Sequence, residues 1–269
     1  MEALAFMLTD PNLLSVFSGS LVGFILALVG GGGSILAVPL LIYIVGISST
    51  HQALGTSAFA VSLTALISLI SHWRLGYVKW RCVSFFTLFG ILGAYAGSSV
   101  AKMVDGEKLL FLFGLLMIIV GALMLFKRNS SGNKEILLTI KTAKTLLPRL
   151  IPIGFSVGLL SGFFGIGGGF LIVPGLILAT GMPLRYAMGT SLVAVAAFGA
   201  TTATNYAVSG LVDWNIALFF VFGGAIGGLA GIGASKLIGK STNGLNYIFS
   251  AIVILVGLWI VWQGIILFI

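Results

Sequence analysis

The sequence predicts an all-α polytopic membrane protein made of two inverted repeats, each a glycine-broken re-entrant helix hairpin followed by three transmembrane helices. Three observations predict it. The 269 residues are 59% hydrophobic and only 7% charged, against about 25% charged in a soluble domain. Apolar runs long enough to cross a hydrocarbon core recur along the whole chain. Midway the pattern of runs restarts and repeats its own glycines and prolines.

Leu13–Val29 is the first apolar segment, and the acidic Glu2 and Asp10 ahead of it, with no basic stretch, lead us to expect that it is retained rather than cleaved. Next comes Gly30-Gly31-Gly32-Gly33-Ser34 and then Ile35–Ile47 with Pro39. Glycine weakens a helix by roughly 1 kcal/mol per residue relative to alanine, so this cluster marks a break. Non-helical backbone at membrane depth survives only where protein buries it or a wet cavity lines it. Gln52–Trp73, Cys82–Ala101 and Leu109–Phe126 follow as full-length spans. A polar connection covers Lys127–Arg149, where Ile136, Leu137, Ile140 and Leu147 among lysines fit either a surface helix or an irregular linker. Pro148 and Pro152 mark the start of the second half. It runs through Leu150–Phe164, a second cluster at Gly165-Ile166-Gly167-Gly168-Gly169, Phe170–Thr180 with Pro174, Tyr186–Val208, Trp214–Ser235 and Leu245–Phe268.

Direct alignment reveals the duplication. At an offset of 135, Gly30, Gly32, Gly33, Leu36, Val38, Pro39 and Gly46 fall on Gly165, Gly167, Gly168, Leu171, Val173, Pro174 and Gly181. At an offset of 134, the triplet Gly55-Thr56-Ser57 falls on Gly189-Thr190-Ser191, and Gly76, Trp80, Gly90, Gly93, Gly97 and Lys102 find their copies. The expected organisation is a first transmembrane repeat over 1–128, a cytoplasmic linker over 129–148 and a second repeat over 149–269. Two homologous halves suit a transporter whose site lies where they meet.

Segment length and loop charge orient the halves. The pieces after the clusters have 13 and 11 residues, roughly 20 and 16 Å at helical rise, too short for a core of about 30 Å. If each cluster is a hairpin turn, every half crosses the membrane an odd net number of times and the second half is inverted. That topology puts twelve Lys and Arg on one side and two on the other. Treating each glycine segment as a single kinked crossing divides them nine to five. The positive-inside rule favours the first, with both termini periplasmic.

The net charge of +8 sits between apolar runs, which serves topology and gives no reason to expect a nucleic-acid partner. Cys82 is the only cysteine, and His51 and His72 have no metal-ligand spacing. No acid, base, nucleophile or metal set is available, so neither an enzyme nor a cofactor is expected. No Asp, Glu, Lys or Arg falls deep within a span. Without a buried carboxylate for a proton relay, uniport of an anion is the simplest reading.

What remains suits an anion. Each cluster ends where a short helix begins, and a helix start offers unpaired N–H groups and a partial positive charge. The candidate substrate-binding residues are therefore Gly30, Gly31, Gly32, Gly33, Ser34, Gly165, Gly167, Gly168 and Gly169, with the doubled triplets Gly55, Thr56, Ser57 and Gly189, Thr190, Ser191. A polar helix face adds Ser57, Thr64, Ser68 and Ser71, matched by Ser191, Phe198, Thr202 and Asn205. Any single Ser or Thr there can equally bond a helix carbonyl, and the glycines can equally serve a tight turn. His72, Arg74 and Arg185 fall at cytoplasmic ends, as topology charges or as attractors of an anion. The ridges Gly93/Gly97 and Gly223/Gly227/Gly231 mark close helix contacts, within the chain or across a homodimer.

Two copies of a G-x-GG(G/S)-x-L-x-VP segment, each followed by Gly-Thr-Ser, resemble the TauE/SafE family of sulfite exporters, over about Gly19 to Gly264. The resemblance implies a permease for sulfite, sulfonates or related organosulfur anions in the bacterial inner membrane. Its partners would be the small anion and the lipid bilayer. Hairpins and triplets would form one site near the midplane and work by alternating access. A channel-like pore of the same fold is the alternative.

Overall fold

A computed structural model describes residues 10–126, 140–167, 169–238 and 242–268. Among these there are ten α-helices and no strand. Helix α1 spans Pro11–Val29, begun by Asp10, whose carboxylate accepts from Asn12 N at 2.9 Å, and by Pro11 at the first helical position. It stops at Gly30, whose φ of 75° no helix can continue. A 3-10 segment over Gly30–Leu36 leads into the short α2, Ala37–Tyr43. Then follow α3 (Thr50–Arg74), α4 (Trp80–Ala101), α5 (Gly106–Phe126), α6 (Ile140–Phe163), α7 (Gly169–Thr180), α8 (Leu184–Val208), α9 (Trp214–Ile238) and α10 (Thr242–Phe268). Eight of these are long and apolar enough to cross a membrane, and α2 and α7 are the short exceptions.

Each expected apolar segment is helical, with two differences. The piece after the first glycine cluster is not one straight helix, because its first half winds as 3-10 before α2 begins. Helix α6 starts at Ile140, ten residues ahead of the expected Leu150, and carries Pro148 and Pro152 inside it. Spaced four apart, the two prolines remove donors from one line of the hydrogen-bond ladder and leave the others intact. The expected surface helix thus falls partly within the first turns of α6, while Lys134, Ile136 and Leu137 lie outside the described residues.

The helices pair in matching ways across the two halves. Helix α1 packs along α9, as its counterpart α6 packs along α4, while α3 lies on α8 and α5 on α10. The α1–α9 and α4–α6 seams are built on glycine. A Cβ on Gly19 or Gly23 would overlap the carbonyl of Phe220 or Gly224, and one on Gly158 or Gly162 would overlap that of Gly90 or Ala94. Apolar burial drives little helix association in lipid, so backbone approach of this kind carries the packing. The Gly93/Gly97 and Gly223/Gly227/Gly231 ridges face α6 and α1 of the same chain, so their close contacts are made within the chain.

Neighbour identity fixes direction. Along α1 and α9, Val16, Ser20 and Phe24 meet Gly223, Gly227 and Gly231, so the two helices run parallel. Helices α3 and α8 run antiparallel, with Gly55 against Leu211 beyond the end of α8 and Gly189 against Tyr77 beyond the end of α3. One end of the bundle, face A, holds the starts of α1, α3, α5 and α9. Asn12 bonds Asn215 there at 2.8 Å, and Gly106 abuts Thr50. Face B holds the starts of α4, α6 and α8. The chain leaves face A through α1 and is back at face A when α3 begins. It leaves face B through α6 and is back at face B when α8 begins. Trp73, Trp80 and Trp214 are exposed at helix ends, and Phe17, Leu88, Phe222, Leu255 and Trp262 form part of an exposed apolar flank, as expected of side chains facing lipid.

Candidate functional site

The two glycine breaks meet in the interior, where the 3-10 segment packs on α7 and both lie against α8. Gly30 holds φ 75° and sits on Met188, and Gly165 holds φ 64° and sits on Leu54, the residue matching Met188 at the 134 offset. Gly167, at φ 66°, lies between Val61 and Val195, a second matched pair. Those valines lie near the middle of α3 and α8. At the same level Ser62 Oγ donates to the Ala196 carbonyl at 2.7 Å, and a Cβ on Gly199 would come within 2.9 Å of the Ala58 carbonyl. The breaks therefore sit beside the crossing of the two central helices. Ser34, Ile35 and Ile166 around them are fully buried. Gly32 lies within the 3-10 segment, as do Gly31 and Gly33, and a Cβ on Gly33 would press into Leu26 N of α1 at 2.5 Å. Gly169 is the first residue of α7; Gly168 lies outside the described residues.

The doubled triplet has a distinct task for each residue. Gly55 and Gly189 let the carbonyls of Leu211 and Tyr77 come onto the opposite half's crossing helix. Thr56 Oγ1 accepts from Asp213 N at 2.9 Å, and Thr190 Oγ1 accepts from Lys79 N at 3.0 Å, at positions again 134 apart. Ser57 Oγ, fully buried, is 2.8 Å from the Gly165 carbonyl and 2.9 Å from the Leu54 carbonyl of its own helix. Ser191 Oγ donates to Met188 O at 2.8 Å.

Not all expected site residues come together. Thr56 and Thr190 lie on opposite sides of the α3–α8 crossing, about 18 Å apart by helical rise, and each serves its own mouth. Within the triplets it is Ser57 that touches a glycine break, through the Gly165 carbonyl. Asn205 is at face A, where Lys102 Nζ donates to its Oδ1 at 2.9 Å and to its carbonyl at 3.1 Å, and its amide donates to Ser98 and Ser99. It holds the end of α4 to the end of α8. Thr64 and Ser68 turn toward Gly224 and Gly228 of α9, so that stretch of the polar face is a helix contact.

Each mouth has its own chemistry. At face A, an open pocket of about 520 Å³ is lined by His51 and residues 102–108, with Lys108 paired to Asp105 at 2.7 Å. His51 Nδ1 and the Tyr206 hydroxyl are buried beside it without a hydrogen-bond partner. At face B, Arg185 Nη1 donates to the Tyr77 hydroxyl at 3.3 Å, and its guanidinium is 5.3 Å from that ring's centre. Lys79 Nζ stands 4.7 Å over the Tyr186 ring, and the two tyrosines meet edge to face. Sequence reasoning had not singled out Tyr77, Lys79 or Asp213. The 134 offset could have found them, because it sets Tyr77 against Leu211 and Lys79 against Asp213.

The profile of the sulfite exporter TauE/SafE family matches residues 15–260. A probable membrane transporter protein of Xylella fastidiosa (strain 9a5c) is 48% identical over 252 residues, covering 94% of this chain and 95% of that protein. The probable membrane transporter protein YunE of Bacillus subtilis (strain 168) is 28% identical over 93% of this chain and 97% of its own length. A third, from Methanocaldococcus jannaschii, is 31% identical over 70% of this chain and 68% of its own. No solved structure matches.

Proposed function

The chain belongs to the sulfite exporter TauE/SafE family, and from that premise we propose that it is a secondary transporter exporting sulfite, a sulfonate or a related organosulfur anion across the cytoplasmic membrane by alternating access. The observation that carries the reading is the meeting of two buried glycine breaks beside the α3–α8 crossing. The first turn of α7 supplies backbone N–H groups there. Neutral donors of this kind replace water around an oxyanion and still let it leave.

The same reading takes the two halves as inverted repeats and the glycine segments as re-entrant hairpins. The antiparallel run of α3 and α8 and the return of each hairpin to its own face support it. Among the described residues, Asp10, Asp105, Glu107 and Asp213 are all at face A, whereas face B carries Arg74, Lys79, Arg81, Lys144, Arg149 and Arg185 and no carboxylate. By the positive-inside rule face B is cytoplasmic and the chain starts on the periplasmic side. The threonines at Thr56 and Thr190 then act as matched latches on the two mouths, released alternately.

The test is flux in proteoliposomes with sulfite, sulfate, thiosulfate, sulfoacetate and taurine. Saturable uptake that prefers one sulfur oxyanion, and is lost in Gly32→Val and Gly167→Val proteins that still reach the membrane, is expected. Flux that is indifferent to the anion, or unchanged in both variants, would overturn the assignment.

A further inference from the structure

The repeat makes every residue at one mouth comparable with its counterpart at the other. At face B the positions are Tyr77, Lys79, Arg185 and Tyr186. At face A the 134 offset gives Leu211, Asp213, His51 and Gln52. The backbone framework is shared, since Thr190 holds Lys79 N as Thr56 holds Asp213 N. The side chains are not. Two basic residues and two tyrosines stand where the other mouth has one carboxylate, one histidine and no tyrosine.

The two cations are also held differently from ordinary topology charges. Arg74 and Arg81 project from exposed helix ends. Arg185 and Lys79 are seated over the rings of Tyr77 and Tyr186, and those rings touch each other with centres 5.8 Å apart. Stacking on a ring fixes the position of a cation without neutralising it. The cluster bridges the α3–α4 loop and the start of α8, directly above Thr190, whose hydroxyl also reaches the Tyr77 carbonyl at 3.4 Å. At face A the opposite holds. Lys108 is paired with Asp105, and Glu107 lines the same pocket as Lys102. An oxyanion there meets charges that cancel.

We infer that Arg185 and Lys79, set on Tyr77 and Tyr186, form an oxyanion-docking site at face B that face A lacks. The inference rests on the anion-transport reading for its role, which is to collect substrate from one side. Arg185 offers a planar fork to two oxygens of a sulfite or sulfonate, and Lys79 a point charge to the third. The tyrosine rings flank the apolar part of a sulfonate. Occupancy also pulls on the Tyr77–Lys79 loop, and so on the Thr190 latch. Loading of that mouth is thereby coupled to its release.

The experiment reads binding separately from transport. Full-length protein in detergent is treated with phenylglyoxal, and modification of Arg185 is followed by peptide mass spectrometry while methanesulfonate, sulfate or chloride, none of which reacts with the reagent, is titrated at constant ionic strength. Saturable protection of Arg185 by methanesulfonate and sulfate, and not by chloride, is expected. Half-protection should need about tenfold more methanesulfonate in Lys79→Gln, the change produced by about 1.4 kcal/mol. Thermal midpoints of wild type and variant confirm folding. Absence of protection, or equal protection by chloride, overturns the site. Parallel flux assays in proteoliposomes keep the two readings apart: protection without flux upholds the site and sinks the transporter assignment, and flux without protection does the reverse.

Discussion

Between Gly30 and Leu36 the chain leaves α1 on one left-handed glycine and winds as a 3-10 helix. Between Phe164 and Gly169 two of the described residues, Gly165 and Gly167, are left-handed, and α7 starts at Gly169. The two stretches share most of their glycines and their Val-Pro ending, so glycine content alone does not set the local path. The residues that differ do. Ile166, where the first copy has Gly31, is fully buried and anchors the second turn between its two left-handed neighbours. Ser57 from the other half fixes the Gly165 carbonyl at 2.8 Å, while Ser191 serves its own helix. What the repeat retains is the reversal of direction and the contact with the opposite crossing helix. The winding within the break is free to change.

The largest effect separating the two breaks is expected from valine at their left-handed glycines. Gly165→Val forces a β-branched residue to positive φ, costing about 1–2 kcal/mol, and drives its Cβ to within 2.6 Å of Leu54. Flux should vanish and the thermal midpoint should fall. Gly30→Val meets Met188 at 2.9 Å and should lose slightly less. Gly46→Ala is the control, because φ is 88° but nothing lies within 4 Å of its Cβ, so it reports conformational strain without crowding.

Next in size is the serine comparison. Ser57→Ala leaves the Gly165 carbonyl without its interhelical donor, a loss of about 1–3 kcal/mol. Ser191→Ala removes a bond within one helix and should shift the midpoint far less. Equal shifts would mean that the two breaks are held alike, against the contrast drawn above. The latches should be even-handed instead: Thr56→Val and Thr190→Val are each expected to cost about 1 kcal/mol. Each should raise cysteine-probe access only at its own mouth, read by labelling a cysteine introduced at Gly210 or at Gly76.

The smallest effect belongs to a feature without a counterpart. Lys108 beside Asp105 holds that carboxyl below its usual range by hydrogen bond and charge. A lowered value means that any stabilisation exists at neutral pH and fades as pH falls through the depressed pKa. The pair is fully exposed, so Asp105→Asn should leave the thermal midpoint at pH 7 almost unchanged. A marked drop would show that face A depends on this pair.

Much of this protein was legible in its sequence. Membrane class followed from composition, the helices from apolar runs, and the duplication from Gly, Pro, Trp and Lys recurring at fixed offsets. These properties are carried by single segments, so one dimension records them. The Gly-Thr-Ser triplet shows what only the tertiary structure decided. Its two copies announced importance and suggested a common site. In the folded chain each glycine admits a carbonyl and each threonine holds an amide from the other half, on opposite sides of the crossing and about 18 Å apart along the bundle. Asn205 likewise read as a pathway residue and proved to bind Lys102. Such roles depend on which backbone arrives from the opposite half. That is fixed by glycine-to-carbonyl packing between helices more than a hundred residues apart in the chain, which no local pattern records.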